Sequence, residues 1–336
     1  MEIRRVQMTG GSSYVITLPK EWVKSVNIKK NDQLGLTRQS DGTLLITPTL
    51  VEKQIKNEKI FTVSERTDQK YLLRQLIGAY ISGYDSIKIT SKERMPSKIT
   101  ASIRNFTQIT IGQEVVEETD TSIVIKDLLN PTEMPFNSTI KRMHLVVKSM
   151  HEDANNALET GNKKIAEEIV PRDNDVDRLH WLVARQHNII LENLSLAKKM
   201  GITIEITSTY YLISRIIERI GDHVVRIAEN IINLTDKNLD KQIIDQIKSA
   251  SELALNIVNK SIGSFFRKDI RASNKNIEET KKIESFCEEI NELALKQKGK
   301  TAISIGYIVE SIRRIAEYAE DISETSINYL VWEEKG

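Results

Sequence analysis

The sequence predicts a multidomain, mainly α protein. A small β unit comes first, a small α/β unit follows, and helical bundles in tandem fill the rest. Three observations predict it. All six prolines lie at or before Pro171, and none follows in the second half of the chain. From about residue 137 onward, apolar residues recur at intervals of three and four, the period of helices that bury one face. Ahead of that point the apolar runs are short, tend to alternate, and are punctuated by glycine, as strands are. A length of 336 residues fits two or three domains.

Composition narrows the class. Charged residues make up 28% and hydrophobic ones 40%, as in soluble globular proteins. The formal net charge is +1, so bulk charge names no partner. Its distribution is uneven: residues 1–50 hold seven Lys/Arg against four acids. A lone cysteine, Cys287, excludes an internal disulfide and suits a reducing compartment. No apolar run reaches the ~18 residues of a spanning helix, and no apolar stretch of signal-peptide type follows Met1. A cytoplasmic protein without membrane insertion is expected.

In chain order, residues 2–8 and 13–18 read as strands separated by Thr9-Gly10-Gly11-Ser12. Residues 19–26 read as a short helix with Pro19 in its first turn. Residues 33–38 and 43–47 form a hairpin across Ser40-Asp41-Gly42, where Asp-Gly favours the positive-φ turn. Four short strands bury too little apolar surface to stand alone. Exchange of hairpins with a second copy would supply the core and cover the sheet edges, so a homodimer is expected. Ser13-Tyr-Val-Ile-Thr-Leu-Pro-Lys20-Glu-Trp22, Ile28-Lys-Lys-Asn-Asp32 and the Gly42 hairpin ending at Pro48 resemble the SpoVT/AbrB swapped-hairpin domain. That family binds DNA as a dimer. Carried over by position, the resemblance implies Arg4, Arg5, Lys20 and Lys24 as DNA contacts. By charge alone the same residues also read as an ordinary solvated rim, and the unit as a dimerisation device only.

Residues 51–130 read as a polar linker (51–64) and a small α/β unit. Helices are expected at 67–82 and 97–106, and strands at 86–90, 108–117 and 122–126. No glycine-rich phosphate loop and no acid–base pair appears, so the unit reads as a spacer or a docking surface.

Residues 131–336 read as helices near 137–158, 162–196, 203–235, 239–267, 272–297 and 301–333. Ile140, Met143, Val147, Met150, Ala154 and Ala157 follow the 3-4-3-4-3 seam of bundle packing. Pro171 is expected to kink or restart the second helix. Gly201, Asp236-Lys237-Asn238, Gly263 and Gly299 supply the punctuation.

The chemistry concentrates in Glu218-Arg219-Ile220-Gly221-Asp222 and the helix around it. At ~100° per residue, Glu218, Asp222 and Glu229 fall within about 40° of one another. Like carboxylates one turn apart repel by a few tenths of a kcal/mol. Either a cation that takes carboxylate oxygens or Arg215, Arg219 and Arg226 must offset this. Asp173, Asp177 and His180 share one face of the preceding helix within roughly 60°. On that helix alone, Asp173 also reads as a helix-start carboxylate. The pattern returns about 95 residues later: Arg219-Ile220-Gly221-Asp222 aligns with Arg314-Ile315-Ala316-Glu317, and Ile227-Ala228-Glu229 with Ile322-Ser323-Glu324. One bundle unit is therefore used twice, at about 135–235 and 239–334.

Glu218-Arg-Ile-Gly-Asp222 is similar to the E-x-x-x-D signature of PhoU, the phosphate-uptake regulator family. The resemblance covers roughly 135–334 and implies two tandem three-helix bundles that bind divalent or trivalent metal ions, of which Fe, Zn, Mn and Mg all remain open. It implies Glu218, Asp222, Asp173 and Asp177 as ligands in the first repeat. In the second repeat Glu317 and Asp321 are the counterparts, with Arg313 at the Glu218 position and Glu310 one turn earlier. The two resemblances in one chain imply a DNA-binding regulator of the uptake of phosphate or another oxyanion. The alternative is an adaptor that docks on a phosphate ABC transporter without DNA. A carboxylate-bridged metal enzyme is the weakest reading, because no second Asp/Glu-x-x-His and no nucleophile–base pair is present. No catalytic residue and no enzyme activity are expected.

Overall fold

The computed structural model describes residues 2–38, 42–48, 57–235 and 239–334. The chain divides into two compact units, Met1–Lys56 and Asn57–Gly336.

In the first unit, β1 (Gln7–Thr9) pairs antiparallel with β2 (Ser13–Val15), Met8 opposite Tyr14. The link passes through Gly10 and Gly11 at φ +65° and +79°, a turn glycine enters without strain. A short helix, α1 (Lys20–Ser25), leads to β3 (Gly35–Arg38) and β4 (Leu44–Thr47), with Leu36 opposite Ile46. The expected strand from residue 2 begins only at Gln7, because no strand among the described residues pairs with residues 2–6, and the next ends at Val15 rather than 18. The turn expected at Ser40-Asp41-Gly42 lies partly outside the described residues.

None of the described residues of this unit is buried, and Ile3 and Tyr14 are 83% and 79% exposed. Val6, Met8, Ile16, Leu36 and Leu44 are exposed with them. Exchange of hairpins with a second copy would cover this apolar surface. Residues 1–56 made alone should sediment as a folded dimer at micromolar concentration, and a compact folded monomer would exclude hairpin exchange.

The second unit begins with a four-stranded sheet. Its spatial order is β5 (Glu58–Val63), β6 (Ser86–Ser91), β8 (Ser122–Asp127) and β7 (Gln113–Glu118). Only β5 and β6 run parallel, joined by α2 (Gln69–Ile81); α3 (Ser97–Ile109) follows β6. The side chain of Asp68 caps α2 by accepting the Tyr71 N–H at 2.7 Å. Leu76, Tyr80, Ile87, Ile89, Ile103 and Phe106 fill this core. The segment expected as linker through residue 64 is thus half wrong. Glu58–Val63 alternates exposed and covered residues, the pattern of a strand with one face packed.

The helices are α4 (Phe136–Thr160), α5 (Lys163–Ile169), α6 (Asp173–Glu192), α7 (Leu194–Lys199), α8 (Ile204–Leu234), α9 (Lys241–Arg267), α10 (Ile270–Ala294) and α11 (Lys300–Glu333). The long second helix expected at 162–196 is broken. Pro171, which cannot donate a backbone hydrogen bond, sits in a 3-10 turn over Val170–Arg172 that hands α5 to α6. The punctuation expected at 236–238 lies outside the described residues. The helices α4 to α8 form one bundle and α9, α10 and α11 another. They share a continuous core through the α8–α11 and α4–α9 contacts. Among the described residues no helix is long and apolar enough to cross a membrane.

One helix belongs to both layers. α6 gives Val176, Leu179 and Val183 to the bundle core, while Trp181 packs on the α/β core. Arg185, its side chain 3% exposed, reaches into the α/β unit. Its Nε donates to Asp127 Oδ2 at 2.7 Å, Nη1 to the Tyr80 carbonyl at 2.5 Å, and Nη2 to the Tyr84 carbonyl at 2.9 Å. Gln186 Nε2 donates to the carbonyls of Pro131 and Met134, and Asn188 Nδ2 to that of Ile81. The α/β unit is bolted to the bundle through one face of α6.

Candidate functional site

The same helix opens on the acidic cluster. Asp173 and Asp177 occupy its first two turns, where a carboxylate meets the positive end of the helix dipole. α8 passes beside them, started by Thr203, whose side chain accepts the Ile206 N–H. Its apolar stripe, from Ile213 through Ile217, Ile220, Val224 and Ile227, is buried. Glu218 and Asp222 are thereby held on the flank that faces α6.

The four carboxylates sense one another. Burial, with Asp177 and Asp222 nearby, pushes the Asp173 carboxyl up to about 7. Burial, with Glu218 and Asp222, pushes Asp177 up to about 6, against the pull of Arg215. Glu218 and Asp222 are also raised, first by burial, while nearby arginines oppose the shift. Glu218 is only 8% exposed. One of its oxygens accepts from Arg215 Nη1 at 2.7 Å. Among the described residues, its other oxygen, Oε2, is buried with no hydrogen-bond partner, and so is Asp173 Oδ1. Buried oxygens without donors are costly. Bare carboxylate oxygens on two facing helices fit a hard or borderline cation in donor type. Among the described residues, however, no three His, Cys, Asp or Glu side chains stand together as a ready-made metal cage. Glu229, on the same stripe, is exposed.

Gly221 is a part of this site that residue-by-residue reading passes over. A Cβ built there would lie 3.2 Å from Asp173 Oδ1, so the missing side chain leaves room for that carboxylate against α8. A glycine inside a helix costs about 0.5–1 kcal/mol, which was the available signal. The second repeat has Ala316 at the aligned position.

His180 faces elsewhere. It is buried, its Nδ1 lies 3.0 Å from Ser214 Oγ, and its ring stacks on Tyr211. Burial and the Arg215 charge push its imidazole down to about 4, which suits a neutral packing residue.

The second repeat is arranged differently. Glu317 accepts from Arg313 on one oxygen and from Arg314 on the other, the latter at 2.6 Å. Arg313 also pairs with Glu310 at 2.7 Å. Burial and then Glu320 raise the Asp321 carboxyl, while Arg314 and Arg219 oppose. Here arginines already neutralise the acids.

In the first unit, Arg4 and Arg5 lie ahead of β1, with Arg4 Nη2 3.1 Å from Glu2 Oε1. Lys20 opens α1 and Lys24 stands in its last turn, one helical turn apart on one face. All four are exposed.

The comparisons with known proteins agree with this division. A family model for the PhoU domain matches residues 140–231 and 247–326. A second model, described as antidote-toxin recognition MazE, bacterial antitoxin, matches residues 7–54. The phosphate-specific transport system accessory protein PhoU homolog 1 of Thermotoga maritima is 21% identical over 197 residues, 56% of this chain and 83% of that protein. The PhoU homolog of the same description from Aquifex aeolicus is 26% identical over 149 residues, 44% of this chain and 66% of that protein. In fold, PhoU from Pseudomonas aeruginosa superposes with a TM-score of 0.53 at 17% identity, covering 59% of this chain and 96% of that one. The phosphate transport system regulatory protein PhoU of Streptococcus pneumoniae superposes with a TM-score of 0.51 at 16% identity, covering 58% of this chain and 92% of that one.

Proposed function

The chain belongs to the PhoU family and carries a MazE/AbrB-like N-terminal unit, and from that premise we propose that it is a cytoplasmic, DNA-binding regulator of the uptake of phosphate or another oxyanion. One observation supports this above the rest: a two-bundle PhoU half and a MazE-type unit with exposed cations, Arg4, Arg5, Lys20 and Lys24 among them, stand in one chain. A homodimer doubles those cations, and affinity for the DNA backbone scales with their number. Arg4, Arg5, Lys20 and Lys24 contact DNA in this reading.

The bundle half is the sensor. Asp173, Asp177, Glu218 and Asp222 would hold a metal ion, which would replace their mutual repulsion by coordination. Regulation further requires that the metal or an oxyanion bind two states of the protein unequally. The protein's own residues perform no catalysis in this reading.

Mobility shift at physiological salt tests the proposal. The wild type should retard DNA. Arg4→Ala with Arg5→Ala should weaken binding to every sequence and reduce the log–log salt slope by about 0.9 for each DNA phosphate left without its cation. Unchanged affinity and slope would place both residues off the DNA face. The relatives' description as phosphate transport accessory proteins favours a second reading, an adaptor that docks on a phosphate ABC transporter. Absence of any retarded band, with capture of the transporter's cytoplasmic face instead, would select that reading.

A further inference from the structure

We propose that the outer edge of β5 is a second self-interface, on which β5 of one protomer pairs antiparallel with β5 of its partner about a two-fold axis at Ile60. The inference rests on the homodimer of the reading above. In the four-stranded sheet, β5 and β7 are the edge strands. An edge strand offers a row of unpaired N–H and C=O groups, and proteins block it with charge, a bulge or proline where it must stay alone. β7 is blocked: its register with β8 shifts between Val115 and Glu117, and Glu114, Glu117 and Glu118 stand exposed. β5 is not. Its register with β6 runs unbroken from Glu58 to Val63, and it holds no proline. Among the described residues, β6 is its one strand partner. Lys59 does not guard the edge, because its Nζ folds back to 5.8 Å from the ring centres of Phe61 and Tyr84 in its own chain.

The strand is complementary to itself. A two-fold axis normal to the sheet sets residues of the same face opposite one another. Centred on Ile60, the pairing sets Ile60 against the partner's Ile60, Lys59 against the partner's Phe61, and Glu58 against the partner's Thr62. No like charges meet. Centred on Glu58 or Lys59 instead, like charges would stand directly opposite, which is destabilising. Centred on Phe61, the pairing would set Ile60 against a threonine. Phe61 and Val63 pack into the α/β core, while Ile60, on the other face, is 56% exposed. Its symmetry mate covers it.

A second copy is the occupant that the chain itself delivers. β5 begins ten residues after Pro48, the last described residue of the first unit. A homodimer through the first unit therefore carries two β5 strands on short tethers, at an effective concentration on the order of millimolar. An extended peptide from another protein has no such advantage. The paired strands would make one continuous sheet across the axis. Through the contacts of Arg185, Gln186 and Asn188 on α6, that sheet would hold the two PhoU halves of the dimer in one fixed relation.

Cysteine cross-linking of the full chain tests this. The native Cys287 is 4% exposed and gives the baseline. Opposed residues of an antiparallel pair lie about 4.5–5.5 Å apart at Cα, within disulfide reach. Ile60→Cys should therefore form a disulfide-linked dimer under mild oxidation about tenfold faster than Glu117→Cys, its counterpart on the β7 edge. Ile60→Lys, which sets like charges opposite, should speed hydrogen exchange of the β5 amides. Glu117→Cys linking as fast as Ile60→Cys, in a protein that sediments as a dimer, overturns the β5 pairing and leaves the first-unit dimer standing. Exchange in β5 that Ile60→Lys leaves unchanged overturns it likewise. A full chain that sediments as a monomer overturns both.

Discussion

Arg185→Met will destabilise the Asn57–Gly336 unit by about 3–5 kcal/mol, the range for removing one partner of a buried ion pair. Methionine fills the same slot with a similar stem, so the loss is electrostatic rather than a cavity. The substitution strands the Asp127 carboxylate, 11% exposed, and takes a donor each from the carbonyls of Tyr80 and Tyr84. It also removes the guanidinium that lies 5.0 Å from the Tyr80 ring centre. Among the described residues, Asp127 would keep only the Leu129 N–H, at 3.0 Å. Urea unfolding gives the magnitude, and hydrogen exchange gives the location: α2, β6 and β8 should open before the bundles do. A double-mutant cycle with Asp127→Leu should recover part of the stability, because the stranded charge is then gone. If Arg185→Met costs under about 1 kcal/mol, water reaches the pair and α6 is not the bolt between the layers.

The second expected result concerns the acidic cluster. Mn²⁺ at about 100 times its dissociation constant should stabilise the wild type by about 2.7 kcal/mol through mass action. Glu218→Ala with Asp222→Ala should abolish most of that gain while leaving the metal-free protein as stable or more so. The pH dependence provides an independent check without metal. Asp173 titrates near 7 and Asp177 near 6 when folded, against an ordinary 3.8. The folded state thus binds these protons more tightly than the unfolded chain does. The stability so gained is complete below about 4 and is lost as pH rises through 6 and 7. Histidines oppose this trend. His151, His180 and His223 are pushed down to about 4 from 6.5, chiefly by burial, so their contribution is present above 6.5 and lost as pH falls. The difference between wild type and Asp173→Asn cancels the histidines. The variant should be more stable at pH 8, by about 1–2 kcal/mol after solvent screening, and the gap should close toward pH 4. A gap that is constant with pH, or a metal-insensitive melting curve, would make the stripe an ordinary salt-bridge face.

Much of the architecture is legible in the residues alone. The long helices are readable because an apolar seam at three and four holds over twenty or more residues without proline. The acidic residues are readable because like charges one turn apart are unfavourable and demand a reason. Strand β5 escapes such reading because an edge strand with one covered face alternates too weakly over six residues to stand out from a linker. The break in the second helix is legible only at Pro171. Its end at Glu192 has no breaker of its own and reflects the chain turning toward α8.

What the sequence alone determined is therefore local and periodic: the helical repeats and the short β hairpins. What only the tertiary structure decided is which charges meet. Composition offers several arginines near each acidic stripe, and the spacing on one helix cannot say which of them reaches which oxygen. The packing of α6 on α8 leaves Glu218 and Asp173 each with a bare oxygen, while Arg313 and Arg314 close around Glu317. The physical reason is that helical periodicity fixes the face a side chain occupies, but burial and partner are properties of the neighbouring helix. Sequence repeats can thus be nearly alike and still differ in which carboxylate oxygens their arginines hold.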